Sequence, residues 1–154
     1  MDPDANFQKK AAFEEAAHAL IGQRIISVRY YEGRHDPKWT RYDGVSNEFH
    51  LLDFGMEFEL ESGKLFSVIW GSEFQSYGLS IRNDSLTKEV RDPAVWDVTQ
   101  DLSWIPFVNR QIQVVNVYWE WHSLQRYGGV RHYYPQDIEI CFNESQCIYI
   151  GAYV

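Results

Sequence analysis

The chain has 154 residues, enough for one compact domain and short for two independent ones. With 45% hydrophobic and 16% aromatic residues it can fill a core, which argues against disorder. Its formal charge is −8, and residues 48 to 103 carry most of the excess, eleven acids against four bases. That balance argues against nucleic acid as a partner and favours a basic protein.

The N-terminus, MDPDANFQKK, lacks a cationic segment followed by an apolar run, and no apolar stretch approaches the roughly 18 residues that cross a bilayer. A cytoplasmic location without membrane contact is therefore expected. In chain order, residues 8 to 20 place Phe13, Ala16, Ala17 and Leu20 at helical spacing, with Gly22 as a stop, and predict one amphipathic helix. Residues 24 to 31 form a β-branched and aromatic run, hence a strand, and residues 32 to 44 read as a long loop. Residues 49 to 60 and 64 to 70 alternate around Ser62-Gly63. This predicts a hairpin that buries Met56, Phe58, Leu60, Phe66, Val68 and Trp70 and leaves Glu57, Glu59 and Glu61 in solvent.

Residues 82 to 106 read as a connector with one helical turn near residues 101 to 104. A strand from Ile112 to Trp119 then leads into an aromatic loop with Gly128-Gly129, spanning residues 121 to 135, and the chain closes on a hairpin of residues 137 to 142 and 147 to 153. In that hairpin, facing Phe142 with Ile148 and Ile140 with Ile150 keeps the aliphatic side chains together. The same pairing leaves Cys141 and Cys147 as diagonal neighbours, beyond disulfide reach, so free thiols are expected.

The same unit is written twice. Leu20–Tyr31 reads against Phe107–Tyr118 at an offset of 87, and Met56–Val68 against Ile138–Ile150 at an offset of 82. The expectation is an α+β fold, mainly β, with antiparallel sheets built from two strand-plus-hairpin units and one N-terminal helix. The chain would form a single domain over 1–154, its repeats at 20–81 and 107–154 joined by 82–106.

Catalytic chemistry is hard to place. His18, His35, His50, His122 and His132 have no metal-ligand spacing; His122 and His132, with Asp137, form the weak alternative to surface-loop histidines. No G-x-S-x-G occurs, Gly128-Gly129 does not feed a helix, and the Glu57, Glu59 and Glu61 series is what a solvated strand face produces. Neither an enzyme nor a cofactor is expected. Trp and Tyr beside Arg or His in polar loops suit recognition, which selects Trp39, Tyr42, Trp121, Tyr127 and Tyr133 as anchors, with Glu57, Glu59 and Asp97 as partner-binding carboxylates.

With I-G-x-x-I-x-x-V, EFELESGKLFSVIWG and YGLSI followed by a shorter repeat, the chain resembles small bacterial β-rich proteins, some of which are immunity factors of polymorphic toxin systems. The resemblance implies a cytoplasmic inhibitor that binds and neutralises a cognate toxin domain with a basic surface. The competing expectation is a small-molecule-binding or enzymatic β-domain with a ligand between the repeats, near Trp70 and Trp119. A homo-oligomer pairing through an edge strand is the third.

Overall fold

The computed structural model describes residues 3–33, 43–46, 49–52, 54–74, 77–123, 128–129 and 131–152. Among the described residues one helix, α1 (Pro3–His18), precedes ten strands and one 3-10 turn. In chain order these are β1 (Ile25–Glu32), β2 (Asp43–Ser46), β3 (Phe49–Leu51), β4 (Gly55–Leu60), β5 (Leu65–Phe74), β6 (Tyr77–Arg82), η1 (Leu86–Lys88), β7 (Ala94–Asp97), β8 (Val114–Ser123), β9 (Arg131–Asn143) and β10 (Gln146–Gly151). The strands form sheets of order β6-β5-β4-β1-β7, β10-β9-β8 and β2-β3, so the α+β, mainly β, antiparallel architecture is as expected.

Two compact units divide the chain, one of residues 1–22, 70–81 and 112–154, the other of residues 23–69 and 82–111. In the second unit, β1, β4 and the start of β5 form an antiparallel meander, with Val28 facing Phe58 and Phe58 facing Phe66. The turn into β5 needs a positive φ, and Gly63 supplies it at 85°. The core on one face is a chain of rings. Phe58 lies 6.2 Å from Phe66, nearly parallel, and 5.6 Å from Trp104, edge-on. Trp104 Nε1 donates to the Tyr30 hydroxyl at 2.6 Å, which in turn meets His50 Nδ1 at 2.7 Å.

The segment read as a connector is structural here. Its η1 packs Leu86 with Tyr31 and Ile69, its β7 pairs with β1, and a run of turns over residues 99 to 109 delivers Trp104 and Phe107. Strand propensity in Ala94–Asp97 was masked by the Pro and Asp residues around it.

In the first unit, α1 starts at residue 3 rather than 8 and lays Phe13 between Phe74 and Trp119, with the three rings edge-to-face at 5.4 to 6.1 Å. Trp119 Nε1 donates to Glu14 Oε1 at 2.8 Å, which fixes the indole on the helix. The meander of β8, β9 and β10 faces Val115 with Ile140 and Ile140 with Ile148. Of the segment read as a loop, residues 121–123 and 131–135 are strand: β8 continues to Ser123 and β9 begins at Arg131, with a register shift after Tyr118.

The two meanders share their registers at the offsets seen in the sequence. Moved by 87 on the first strand and 82 on the others, the pairs Ser27–Glu59, Arg29–Glu57 and Tyr31–Gly55 become Val114–Cys141, Asn116–Glu139 and Tyr118–Asp137. Gly22, with φ of 85°, donates its N–H to Ile112 O at 2.8 Å, and Asn109, with φ of 65°, donates to Ile25 O at 2.8 Å. The two donors, Gly22 and Asn109, are 87 residues apart, as are the two acceptors, Ile25 and Ile112.

Three expectations about side chains need correction. Glu57 is buried, with 1% of its surface exposed, because the outer face of its strand is covered by residues 84 to 86 instead of water. Trp70, expected on the buried face of β5, is 51% exposed, whereas its neighbour Ile69 is buried. Cys141 and Cys147 are joined by a disulfide, with Cα atoms 4.1 Å apart. A register shift at Gln146/Cys147 places Ile140 opposite Ile148, two residues from the expected pairing, so the aliphatic face is kept while the cysteines become direct partners.

Candidate functional site

Each unit gathers part of the expected site. In the second unit, Glu57, Glu59 and Asp97 all converge on Arg29, which sits on the central strand between β4 and β7. Arg29 Nη2 lies 2.8 Å from Glu57 Oε1 and 3.9 Å from Glu59 Oε2. Glu57 Oε2 also accepts the Leu86 N–H at 3.1 Å. With every contact internal and almost no accessible surface, Glu57 cannot touch a partner and is withdrawn from the interface. Glu59 is partly open, receiving the Ser27 hydroxyl at 3.1 Å, and Asp97 is exposed. Hydrogen bonds from Thr99, followed by the nearby Arg29 charge, hold the Asp97 carboxyl below its usual range.

In the first unit, Trp121 and Tyr133 are direct cross-strand partners, 48% and 46% exposed. Cations accompany them. The Arg131 guanidinium lies 4.3 Å above the Trp121 ring, and Lys10 Nζ lies 5.0 Å from the Trp119 ring centre and 5.8 Å from that of Tyr133. Beside them a cleft of about 190 Å³ is lined by Phe7, Lys10, Phe74, Trp119 and Tyr133, and Phe7 is itself largely exposed. Sequence reasoning missed Lys10, Phe7 and Arg131. Trp39, Tyr42 and Tyr127 lie outside the described residues.

His122 and His132 are cross-strand partners with ring centres 5.6 Å apart, and His132 is buried at 8%. They are strand residues, which corrects the surface-loop reading. Burial, helped by the His132 neighbour, pushes the His122 pKa below its ordinary 6.5. A base with a depressed native pKa binds its proton more readily in the unfolded chain. Its contribution to stability is therefore intact above 6.5 and lost as pH falls from there toward the native value. Urea midpoints measured between pH 7.5 and 5 should fall over this window, and the fall should flatten in His122→Gln. An equally steep curve in that variant would assign the effect elsewhere.

The same sheet also carries a polar hub. Glu139 Oε1 accepts Asn116 Nδ2 at 2.8 Å and the Tyr118 hydroxyl at 3.2 Å, while Oε2 accepts the Tyr149 hydroxyl. The Tyr149 bond above all, with that of Asn116, lowers the Glu139 pKa. Glu139, Cys141 and Cys147 offer ligand atoms within 4.8 Å of one another.

Among the described residues no helix is long and apolar enough to cross a membrane. Compared with protein-family models, curated proteins and solved structures, the chain finds no match.

Proposed function

We propose that the chain is a protein-binding domain that neutralises a cognate toxin, an immunity protein acting in the cytoplasm. The observation that carries this reading is the half-exposed Trp121–Tyr133 pair, with cations resting on its rings and a cleft at its edge. Trp, Tyr and Arg are the residue types that dominate binding energy at protein interfaces, and these are held by a strand ladder, so little ordering entropy is lost on binding. The cleft, at about 190 Å³, is below the 300 Å³ or more usual for small-molecule sites and suits one inserted side chain. Of the two residues expected to line a ligand site, Trp70 is half exposed and Trp119 lines this cleft.

The excess negative charge supplies long-range attraction to a basic partner, through exposed carboxylates such as Glu61 and Asp97 and the half-open Glu59. Co-expression with a toxin domain encoded beside this chain should rescue growth and yield a complex that survives purification. Trp121→Ala should raise the dissociation rate about 30-fold or more, the scale of an anchor residue. Charge reversal at Glu59 and Asp97 should instead slow association and flatten its dependence on salt. No rescue and no complex would refute the reading.

A further inference from the structure

The cytoplasm assigned above keeps thiols reduced, which raises the question of what the Cys141–Cys147 pair does when its disulfide is opened. We propose that Glu139, Cys141 and Cys147, with the thiols reduced, form a site for a thiophilic divalent cation of the Zn²⁺ class. The ion and the disulfide are then alternatives on the same two sulfurs. This inference stands on the geometry of one sheet face and takes only its reducing compartment from the function proposed above.

Direct cross-strand pairing is what makes the site. Cys141 and Cys147 face each other, so both side chains project from the same face of the β9–β10 ladder. Glu139 is two residues before Cys141 on β9 and shares that face, and the three ligand atoms lie within 4.8 Å of one another. Two sulfurs bound tetrahedrally at about 2.3 Å from an ion sit roughly 3.8 Å apart, a separation that facing cysteines reach by small side-chain rotations once the S–S bond is broken. Thiolates are soft ligands and select Zn²⁺ or Cd²⁺ over Ca²⁺ and Mg²⁺.

The carboxylate is prepared for such a role. Asn116, Tyr118 and Tyr149 all donate to Glu139, the kind of outer shell that orients ligating carboxylates. Three protein ligands leave a fourth position for water.

The chemistry balances with a dithiol as reductant. It passes two electrons to the S–S bond and becomes a disulfide itself, leaving two cysteine thiols. Binding of the divalent ion to the two sulfurs then releases two protons.

The test is a titration of the full chain, reduced with a phosphine under inert gas, with Cd²⁺ followed by thiolate-to-metal charge-transfer absorption and with Zn²⁺ by equilibrium dialysis. Reduced protein should bind one ion per chain and oxidised protein none. Cys141→Ser should weaken binding by about 100-fold or more, and Tyr149→Phe, which removes only an outer-shell donor, by about 10-fold. Binding by the oxidised protein equal to that of the reduced, or binding unaffected by Cys141→Ser, would overturn the proposal. If reduction alone unfolds the chain, Zn²⁺ should restore its near-ultraviolet circular dichroism, because binding free energy then becomes folding free energy. Failure to restore it overturns the proposal equally.

Discussion

Phe58→Ala should lower the unfolding free energy by about 3 to 5 kcal/mol, the range for removing a fully buried aromatic side chain. The ring is 0% exposed and lies between two others, stacked on Phe66 at 6.2 Å and met edge-on by Trp104 at 5.6 Å. The size of the loss depends on whether the neighbours can close the space, and these are poorly placed to do so. Trp104 is tied through its indole N–H to Tyr30, Tyr30 is tied to His50, and Phe66 is held in the β4–β5 ladder opposite the mutated position. A cavity should remain, and cavity volume adds to the lost transfer free energy. Since typical domains have about 5 to 15 kcal/mol in total, the variant should be near the edge of stability at room temperature. Urea unfolding by tryptophan fluorescence measures the loss. A value below about 1 kcal/mol would mean that the ring chain is not packed as described.

That ring was legible in the sequence because strand alternation is a strong local signal. Met56, Phe58, Leu60, Phe66 and Val68 fall on one face by period two, and all are buried. Alternation does not reveal what covers the other face. Leu86 and Asp84 follow β4 by more than twenty residues and fold over Glu57, a contact set by long-range packing. The cysteine pairing failed for a local reason: the tight turn that pairs Asn143 with Gln146 and the one-residue shift after it together move the register by two, so the cysteines go from diagonal to facing and the aliphatic side is kept.

The aromatic hairpin was legible in part. Trp121 and Tyr133 were recognised by residue type, but their pairing was hidden while residues 121 to 135 read as loop. Reading residues 121–123 and 131–133 as paired strands would have placed Trp121 opposite Tyr133, with Arg131 two residues along. Lys10 and Phe7 carried no sequence signal, because only the packing of α1 on β8 brings them to that surface. The repeat offsets were legible from apolar matching alone. The duplication itself remains an expectation, and superposing residues 25–69 on 112–151 would test it, with Ile25 on Ile112 and Phe58 on Ile140.

Glu57→Ala should cost about 3 to 5 kcal/mol, as much as a core aromatic, although sequence alone placed this residue in solvent. The carboxylate links two groups that have no equivalent replacement. It pairs with Arg29 at 2.8 Å, and it accepts the Leu86 N–H at 3.1 Å, which pins η1 to the sheet. Removing it leaves that buried N–H unsatisfied, worth about 1 to 3 kcal/mol. It also leaves Arg29 with only the more distant Glu59, at 3.9 Å, and with Asp97 on the neighbouring strand. Because Arg29 is about a third exposed (32%), water offsets part of its loss, which places the expected cost toward the lower end of the range. Glu57→Gln keeps an acceptor for Leu86 and loses only the charge, so it should cost roughly half as much. Arg29→Ala should be the worst of the three, since it strands a carboxylate that is 99% buried rather than a partly hydrated guanidinium. The order Arg29→Ala, Glu57→Ala, Glu57→Gln, read from urea midpoints, separates this account from a surface role. If Glu57→Ala leaves stability unchanged yet weakens a complex with a basic partner, Glu57 belongs to the interface after all and the cover formed by residues 84 to 86 is not closed in solution.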